Sequence, residues 1–194
     1  MQLRVDRLTE HPSPVQHRAT PAWWADWCRA GAEDAGEAID IVEDLAFDGH
    51  AHVLLEDVLL EGEFSGALDA QCGRCLKRYR QRLRESYRLL LEPLKEGAPV
   101  DPEGVEMLER YGMWLGEDLE AGFYRGKEID LAPFYAEVVA LAIPVQPICK
   151  EDCAGLCPHC GIDRSQASCE CVDTKPDSPF AALAALKGSQ AGSS

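Results

Sequence analysis

The stretch CKEDCAGLCPHCG, residues 149–161, places four cysteines within thirteen residues. Five more cysteines lie outside it: Cys28, Cys72, Cys75, Cys169 and Cys171. Tetrahedral zinc takes four thiolate ligands at about 2.3 Å, and a C-x2-C turn supplies two of them from one tight loop. Eight of the nine cysteines are clustered. The sequence therefore predicts two structural zinc sites, each with four cysteine ligands.

Loop closure indicates how the eight cysteines divide between the two sites. Joining Cys75 to Cys149 closes a loop of 73 residues, which costs about 2 kcal/mol more than closing the short gap between Cys160 and Cys169. One site is therefore expected to be local: Cys157, Cys160, Cys169 and Cys171. The remaining cysteines then form the second site: Cys72, Cys75, Cys149 and Cys153. A rival division, also sterically possible, groups Cys149, Cys153, Cys157 and Cys160.

Catalytic metal chemistry is the competing interpretation of the cysteines. The spacing Cys153-x3-Cys157-x2-Cys160 is also that of iron–sulfur enzymes that cleave S-adenosylmethionine, although such enzymes usually need a barrel larger than this chain. No H-E-x-x-H array or phosphate-binding glycine loop is present, and His159 is interpreted as an exposed residue of its turn. We expect no catalytic residue and no small-molecule substrate. The alternative is a metal-dependent enzyme, either an iron–sulfur radical enzyme or an RNA-processing nuclease.

Composition and charge narrow the functional class. The 194 residues are 46% hydrophobic and 27% charged, with a formal net charge of −15, which is typical of a globular protein without a general affinity for nucleic acid. The first residues contain no apolar segment of the kind a secretory signal needs. The most apolar stretch, residues 131–148, is interrupted by Glu137, Pro144 and Pro147 and falls short of the ~20 uninterrupted apolar residues that span a bilayer. We expect a cytoplasmic protein without a membrane span.

A basic strand is predicted directly after the first cysteine pair. The segment from Arg74 to Arg88 holds seven of the 19 basic residues. Its arginines alternate with apolar residues such as Leu83 and Tyr87, so a strand would have one basic and one apolar face. The candidates for a partner or RNA contact are Arg74, Arg78, Arg80, Arg82 and Arg84. Alternatively, the basic face is only solvated and pairs with the acidic segment 92–120.

The chain is expected to be an α+β protein with an antiparallel β meander or barrel-like sheet, a C-terminal helix and a cysteine-rich zinc-ribbon-like segment. The meander would consist of short strands bounded by glycines such as Gly49 and Gly62. The predicted regions are a strand and Trp-rich segment (1–38), the meander with the first cysteine pair and basic strand (39–92), an acidic, mobile loop with a helical turn or two (93–122), a helix, the zinc-binding region and a C-terminal helix (123–187), and a disordered tail (188–194). The first of these two helices is expected to have Asp130 as its N-cap and to stop near Pro144.

Several motifs in fixed order resemble one known family. They are CGRCL, IDLAPFYAEVVALAIPVQPIC, CKEDCAGLCPHCG, CEC and SPFAALAALK, within roughly residues 39–187. Together they resemble the bacterial YceD family of large ribosomal RNA subunit accumulation proteins. The resemblance implies a non-enzymatic role in 23S ribosomal RNA accumulation, through synthesis, processing or stability, and in large-subunit biogenesis. It also implies a partner, either ribosomal RNA or a large-subunit ribosomal or assembly protein. Some members carry histidines at the positions of Cys149 and Cys153, which implies that these two belong with Cys72 and Cys75.

Overall fold

The computed structural model describes residues 1–31, 40–95, 100–116 and 120–171. The strands are β1 Gln2–Arg4, β2 Ser13–Ala19, β3 Asp40–Ile41, β4 Leu45–Leu54, β5 Asp57–Gln71, β6 Arg78–Pro93, β7 Met113–Leu115, β8 Ala121–Tyr124 and β9 Glu128–Asp130. The helices are α1 Pro21–Gly31, α2 Pro102–Tyr111 and α3 Ala132–Ala142, with a short 3-10 turn at Val5–Arg7. The predicted C-terminal helix and the tail lie outside the described residues.

One seven-stranded sheet dominates the structure. Its order is β2-β4-β5-β6-β8-β7, with β3 pairing separately with β5. The pairings are antiparallel except between β6 and β8, and β1 and β9 form a separate antiparallel pair. The α+β class is confirmed. The barrel-like form is not, because among the described strands β2 and β7 lie at opposite edges and do not pair.

The predicted meander of short strands is replaced by two long strands joined by a tight turn. Strand β4 ends at Leu54 and β5 begins at Asp57, and Leu55 in the turn has a φ of 62°. Gly49 and Gly62 were expected to bound strands, but they lie opposite each other within the β4–β5 ladder. A Cβ on Gly62 would lie 2.5 Å from both the carbonyl oxygen of Asp48 and the hydroxyl of Tyr87. These glycines therefore make room for a tyrosine rather than ending strands.

We expect Gly62→Ala to destabilise the protein by about 1–3 kcal/mol, the usual cost of overpacking a core position. The added methyl group meets backbone on one side, and that backbone cannot rotate away as a side chain can. The matched control is Gly73→Ala, whose added Cβ would have its nearest contact at 3.7 Å. Denaturant unfolding at saturating zinc measures both. Equal stability of the two variants would contradict this account of the central glycines.

Helix α3 covers the apolar face of the sheet and leads the chain to the cysteine-rich segment. Phe134 and Tyr135 are fully buried, and the ring of Tyr135 stacks on Phe47 of β4 at a centroid distance of 4.1 Å. The helix prediction is confirmed. Its N-cap position is Leu131 rather than Asp130, but the Asp130 carboxylate still accepts a hydrogen bond from the backbone N–H of Ala132 at 3.1 Å. The chain leaves this helix seven residues before Cys149.

The described residues of the acidic segment, 93–95, 100–116 and 120–122, contain more regular structure than the sequence predicted. They include the ten-residue helix α2, followed by β7 and the start of β8. Asp101 caps α2 by accepting a hydrogen bond from the N–H of Gly104 at 2.6 Å, and Gly112 ends the helix in the left-handed conformation. These capping residues and the pairing of β8 with β6 stabilise the described part of the segment, where the sequence predicted a loop with a helical turn or two.

Candidate metal centre

The first cysteine pair lies in the turn that joins β5 to β6. The backbone N–H of Cys72 donates to the carbonyl oxygen of Lys77 at 2.9 Å, and the N–H of Leu76 donates to the carbonyl oxygen of Cys72 at 2.9 Å. Leu76 has a φ of 59°, a left-handed conformation that costs a residue with a side chain about 1–2 kcal/mol. The turn therefore curls back on itself and holds Cys72 and Cys75 on one side.

The same turn recurs at the second C-x2-C pair. The N–H of Cys157 donates to the carbonyl oxygen of Ile162 at 2.8 Å, and the N–H of Gly161 donates to that of Cys157 at 2.9 Å. Gly161, in the position equivalent to Leu76, has a φ of 72°. The two pairs thus lie in two copies of one turn, since their hydrogen bonds and the left-handed position have the same spacing.

The first turn meets two cysteines that follow α3. The sulfur atoms of this first group lie within 4.8 Å of one another: Cys72, Cys75, Cys149 and Cys153. Cys72 and Cys153 have their sulfurs 3.8 Å apart, as do Cys75 and Cys149. A disulfide would require about 2.05 Å. Four sulfurs placed tetrahedrally at about 2.3 Å from one ion lie about 3.8 Å apart. The donor set therefore fits a tetrahedral metal ion.

The second turn forms a separate group with the C-terminal cysteines. Its sulfur atoms also lie within 4.8 Å of one another: Cys157, Cys160, Cys169 and Cys171. Cys157 is buried, whereas Cys160 and Cys171 are exposed. In the first group three cysteines are buried and Cys149 is partly buried. The second group is therefore the more accessible of the two.

The sulfur atoms lie in the two groups that loop closure favoured and not in those of the rival division. The triad Cys153, Cys157 and Cys160, whose spacing matches that of radical iron–sulfur enzymes, is split between the two groups. Cys28 lies half-buried on α1 and belongs to neither group. His159 is exposed in the second turn.

The electrostatics of each group favour a bound cation. Backbone N–H groups of Cys149 and Cys75 lower the pKa of Cys72 to about 6. Burial and the neighbouring cysteine side chains raise the pKa of Cys149 to about 12. Burial alone disfavours a thiolate, and each further thiolate repels those already present. A divalent cation relieves this repulsion and allows four thiolates to coexist.

The second group has the same division between one favoured thiolate and its neighbours. Backbone N–H groups of Cys160 and His159 lower the pKa of Cys157 to about 6. The side chain of Cys160, followed by burial, raises the pKa of Cys171 to about 12. In both groups the favoured thiolate is thus the first cysteine of the C-x2-C turn.

Arg74, which was a candidate for partner contact, forms hydrogen bonds to the residues of the first sulfur group and to the segment that carries Cys153. Its guanidinium donates to the carbonyl oxygens of Glu151 and Cys153 at 3.0 and 3.1 Å. Its backbone N–H donates to the sulfur of Cys72 at 3.4 Å. Hydrogen bonds of this kind orient metal ligands and reduce the charge on them. Arg74 therefore joins the β5–β6 turn to the segment that follows α3.

The two sulfur groups are also joined to each other. The N–H of Leu156 donates to the carbonyl oxygen of Arg74 at 2.9 Å. Lys77 forms an ion pair with Asp163 at 2.5 Å, and this lysine is the main cause of the lowered pKa of Asp163. Arg164 donates to the sulfur of Cys157 at 3.8 Å. Sequence analysis missed Asp163 and Arg164, which follow the second turn directly.

The predicted basic strand forms, but its arginines face acidic neighbours. Strand β6 buries Leu83 and Tyr87 and exposes its even-numbered arginines, as the alternation predicts. Four arginines form five ion pairs on this face: Arg78 with Asp69 and Asp40, Arg80 with Glu43, Arg84 with Glu63, and Arg88 with Glu61. The acids come from β3, β5 and the β3–β4 turn rather than from segment 92–120. Arg82 lies opposite Ala67 and has no ion pair among the described residues.

The fold and the two sulfur groups define an α+β protein with two sets of four cysteines, each of which could hold a metal ion. Within the described part of the chain, no helix has the length and apolar character that crossing a membrane requires. The chain belongs to the YceD family. Residues 60–187 match the family model described as Large ribosomal RNA subunit accumulation protein YceD.

Curated relatives carry no assigned function in their names. Uncharacterized proteins of Mycobacterium bovis and Mycobacterium tuberculosis are each 32% identical to this chain over 125 residues, which cover 64% of this chain and 54% of the relative. The chain thus spans about half the length of the curated relatives it matches. No solved structure matches it.

Proposed function

We propose that the chain is a non-enzymatic zinc-binding factor for 23S ribosomal RNA accumulation and large-subunit biogenesis. The observation that carries this proposal is the match of residues 60–187 to the YceD family model. Its partner is ribosomal RNA or a large-subunit ribosomal or assembly protein.

Zinc is the metal that this donor set favours. Four thiolates in tetrahedral arrangement are the ligands of structural zinc sites, whereas catalytic zinc keeps a position for water. Each group provides four sulfurs, so a bound ion would have no free position. The ligands proposed are Cys72, Cys75, Cys149 and Cys153 for one ion and Cys157, Cys160, Cys169 and Cys171 for the other. Zinc at these positions would hold the segment after α3 against the β5–β6 turn.

Cells that lack this protein are expected to accumulate less 23S ribosomal RNA relative to 16S. The comparison is made between the deletion strain, a strain complemented with the intact chain, and one complemented with Cys72→Ser. The intact chain should restore the ratio. The Cys72→Ser variant should restore it less well, because loss of the first ion frees the segment after α3. An unchanged ratio in the deletion strain would contradict the proposed function.

A further inference from the structure

A cleft of about 590 Å³ lies away from the two sulfur groups. It is bounded by the C-terminal end of α2, the turn between β8 and β9, and the paired strands β1 and β9. The charged side chains that line it are Arg4, Glu109, Arg110, Arg125, Lys127, Glu128 and Asp130. Four of these seven are cationic, in a protein with a formal net charge of −15.

The acids of the cleft are mostly engaged. Arg4 forms ion pairs with Asp6 and Glu128 at 2.9 Å each. Asp130 forms an ion pair with the amino group of Met1 at 2.7 Å. By contrast, Arg110, Arg125 and Lys127 form no ion pair with any described residue, and all three are exposed. Their charge is thus available to a ligand, unlike that of the ion-paired arginines of β6.

The turn that carries two of these cations is fixed by hydrogen bonds. The backbone N–H of Arg125 donates to the carbonyl oxygen of Gly112 at 3.0 Å, and the carbonyl oxygen of Lys127 accepts from the N–H of Val5 at 2.9 Å. Strands β8 and β9 flank the turn directly. A fixed backbone lowers the entropy lost when a ligand binds.

Arg110 lines the cleft from the C-terminal end of α2, across from the turn between β8 and β9. Its guanidinium lies over the ring of Tyr111 at 5.1 Å. A guanidinium that stacks on an aromatic face keeps its N–H edges free for bidentate contact with a phosphate. The cleft therefore brings together one oriented arginine and two cations on a fixed turn.

We propose that this cleft binds the phosphate backbone of RNA through Arg110, Arg125 and Lys127. The proposal rests on the proposed function only in taking ribosomal RNA as the natural ligand. Phosphate contacts are made by arginine and lysine irrespective of base sequence. A local group of unpaired cations also explains how so acidic a protein can contact RNA without a general affinity for it.

The test uses the zinc-loaded full chain and a fluorescein-labelled single-stranded fragment of 23S ribosomal RNA, with binding measured by fluorescence anisotropy over a range of salt concentrations. The cleft variant is Arg110→Gln, Arg125→Gln and Lys127→Gln together. The matched control is Arg80→Gln, Arg84→Gln and Arg88→Gln, which removes the same charge from ion-paired, exposed arginines of β6. Melting temperatures establish that both variants fold.

We expect the cleft variant to lose about tenfold or more in affinity, and its slope of log affinity against log salt to fall by about two, at ~0.7 for each lost single-strand phosphate contact. The control should bind within about threefold of the intact chain, since its arginines already have anionic partners. Equal losses in both variants, or a larger loss in the β6 control, would overturn the proposal and in the second case favour the β6 arginines.

Failure of the intact chain to bind the fragment would also overturn it, and would favour an acidic protein partner. The proposed function is judged separately by 23S levels in the deletion strain. Normal 23S levels in cells carrying the cleft variant, together with a deletion defect, would leave the proposed function intact and contradict the RNA-binding cleft.

Discussion

Removal of both metal ions with a chelator is expected to unfold residues 149–171 while leaving the sheet folded. This segment contains one isolated bridge, between Leu156 and Asp163, and no helix or longer strand. Its buried contacts are mostly between cysteines, and the small cluster around Cys72 and Cys153 is separate from the main core. Metal binding supplies about 10–16 kcal/mol of apparent folding free energy in zinc-finger peptides at neutral pH. Little else stabilises the segment once the ions are gone.

Thiol titration and limited proteolysis measure this effect. The eight clustered thiols should become reactive after chelation, the segment should become cleavable, and the far-ultraviolet signal of the strands should remain. Tyr79 packs against both the main hydrophobic core and the small cluster around Cys72 and Cys153. Its near-ultraviolet signal should therefore change when the ions are removed. Unfolding in denaturant gives the control count of nine thiols, which includes Cys28. Complete metal loss with unchanged thiol reactivity would contradict the account.

Serine substitutions are expected to divide the cysteines into two sets, each losing one ion. Cys72→Ser and Cys149→Ser should each remove the first ion, and Cys157→Ser and Cys169→Ser the second. A hydroxyl is a poor replacement for a thiolate at a structural zinc site, so each change should lower the metal content from about two ions to one. Zinc content after gel filtration gives the number directly.

Double variants test whether two cysteines bind the same ion. Cys72→Ser with Cys149→Ser should lose no more zinc than either change alone, because residues that share one site are not additive. Cys72→Ser with Cys157→Ser should lose both ions. The far-ultraviolet signal of the sheet serves as the control for folding. The division would be wrong if Cys72→Ser and Cys169→Ser removed the same ion.

The features that the sequence predicted well come from patterns that repeat over a few neighbouring residues. Alternation along β6 places Leu83 and Tyr87 inside and the arginines outside, because successive side chains of a strand point to opposite faces. The spacing of C-x2-C likewise indicates a tight ligand-bearing turn. Both are local patterns, so no knowledge of distant contacts is needed.

The features that the sequence did not predict depend on distant partners. Gly49 and Gly62 lie within strands because the hydroxyl of Tyr87, on the neighbouring strand, lies against them. Strand β8 is only four residues long and pairs with β6 across the acidic segment. Leu76 adopts a left-handed conformation in which a glycine would be expected. No periodicity within these segments carries that information.

The ion pairing of the β6 arginines could not be predicted from their own segment either. Their exposure follows from alternation, but their neutralisation depends on which strand pairs with β6. Asp69, Glu63 and Glu61 lie on β5, and the antiparallel register brings them beside the arginines. The candidate RNA cleft depends on tertiary contacts in the same way, since Arg110 and Arg125 are fifteen residues apart and come from a helix and a turn.

Metal analysis of the purified chain, combined with its visible absorption spectrum, tests most directly the claim that two closed four-cysteine zinc sites hold residues 149–171 in place. We predict about two zinc ions per chain, as the two sets of four sulfurs would hold, and no visible absorption. A brown, iron-containing protein, or a chain that retains a single ion when zinc is in excess, would contradict the account.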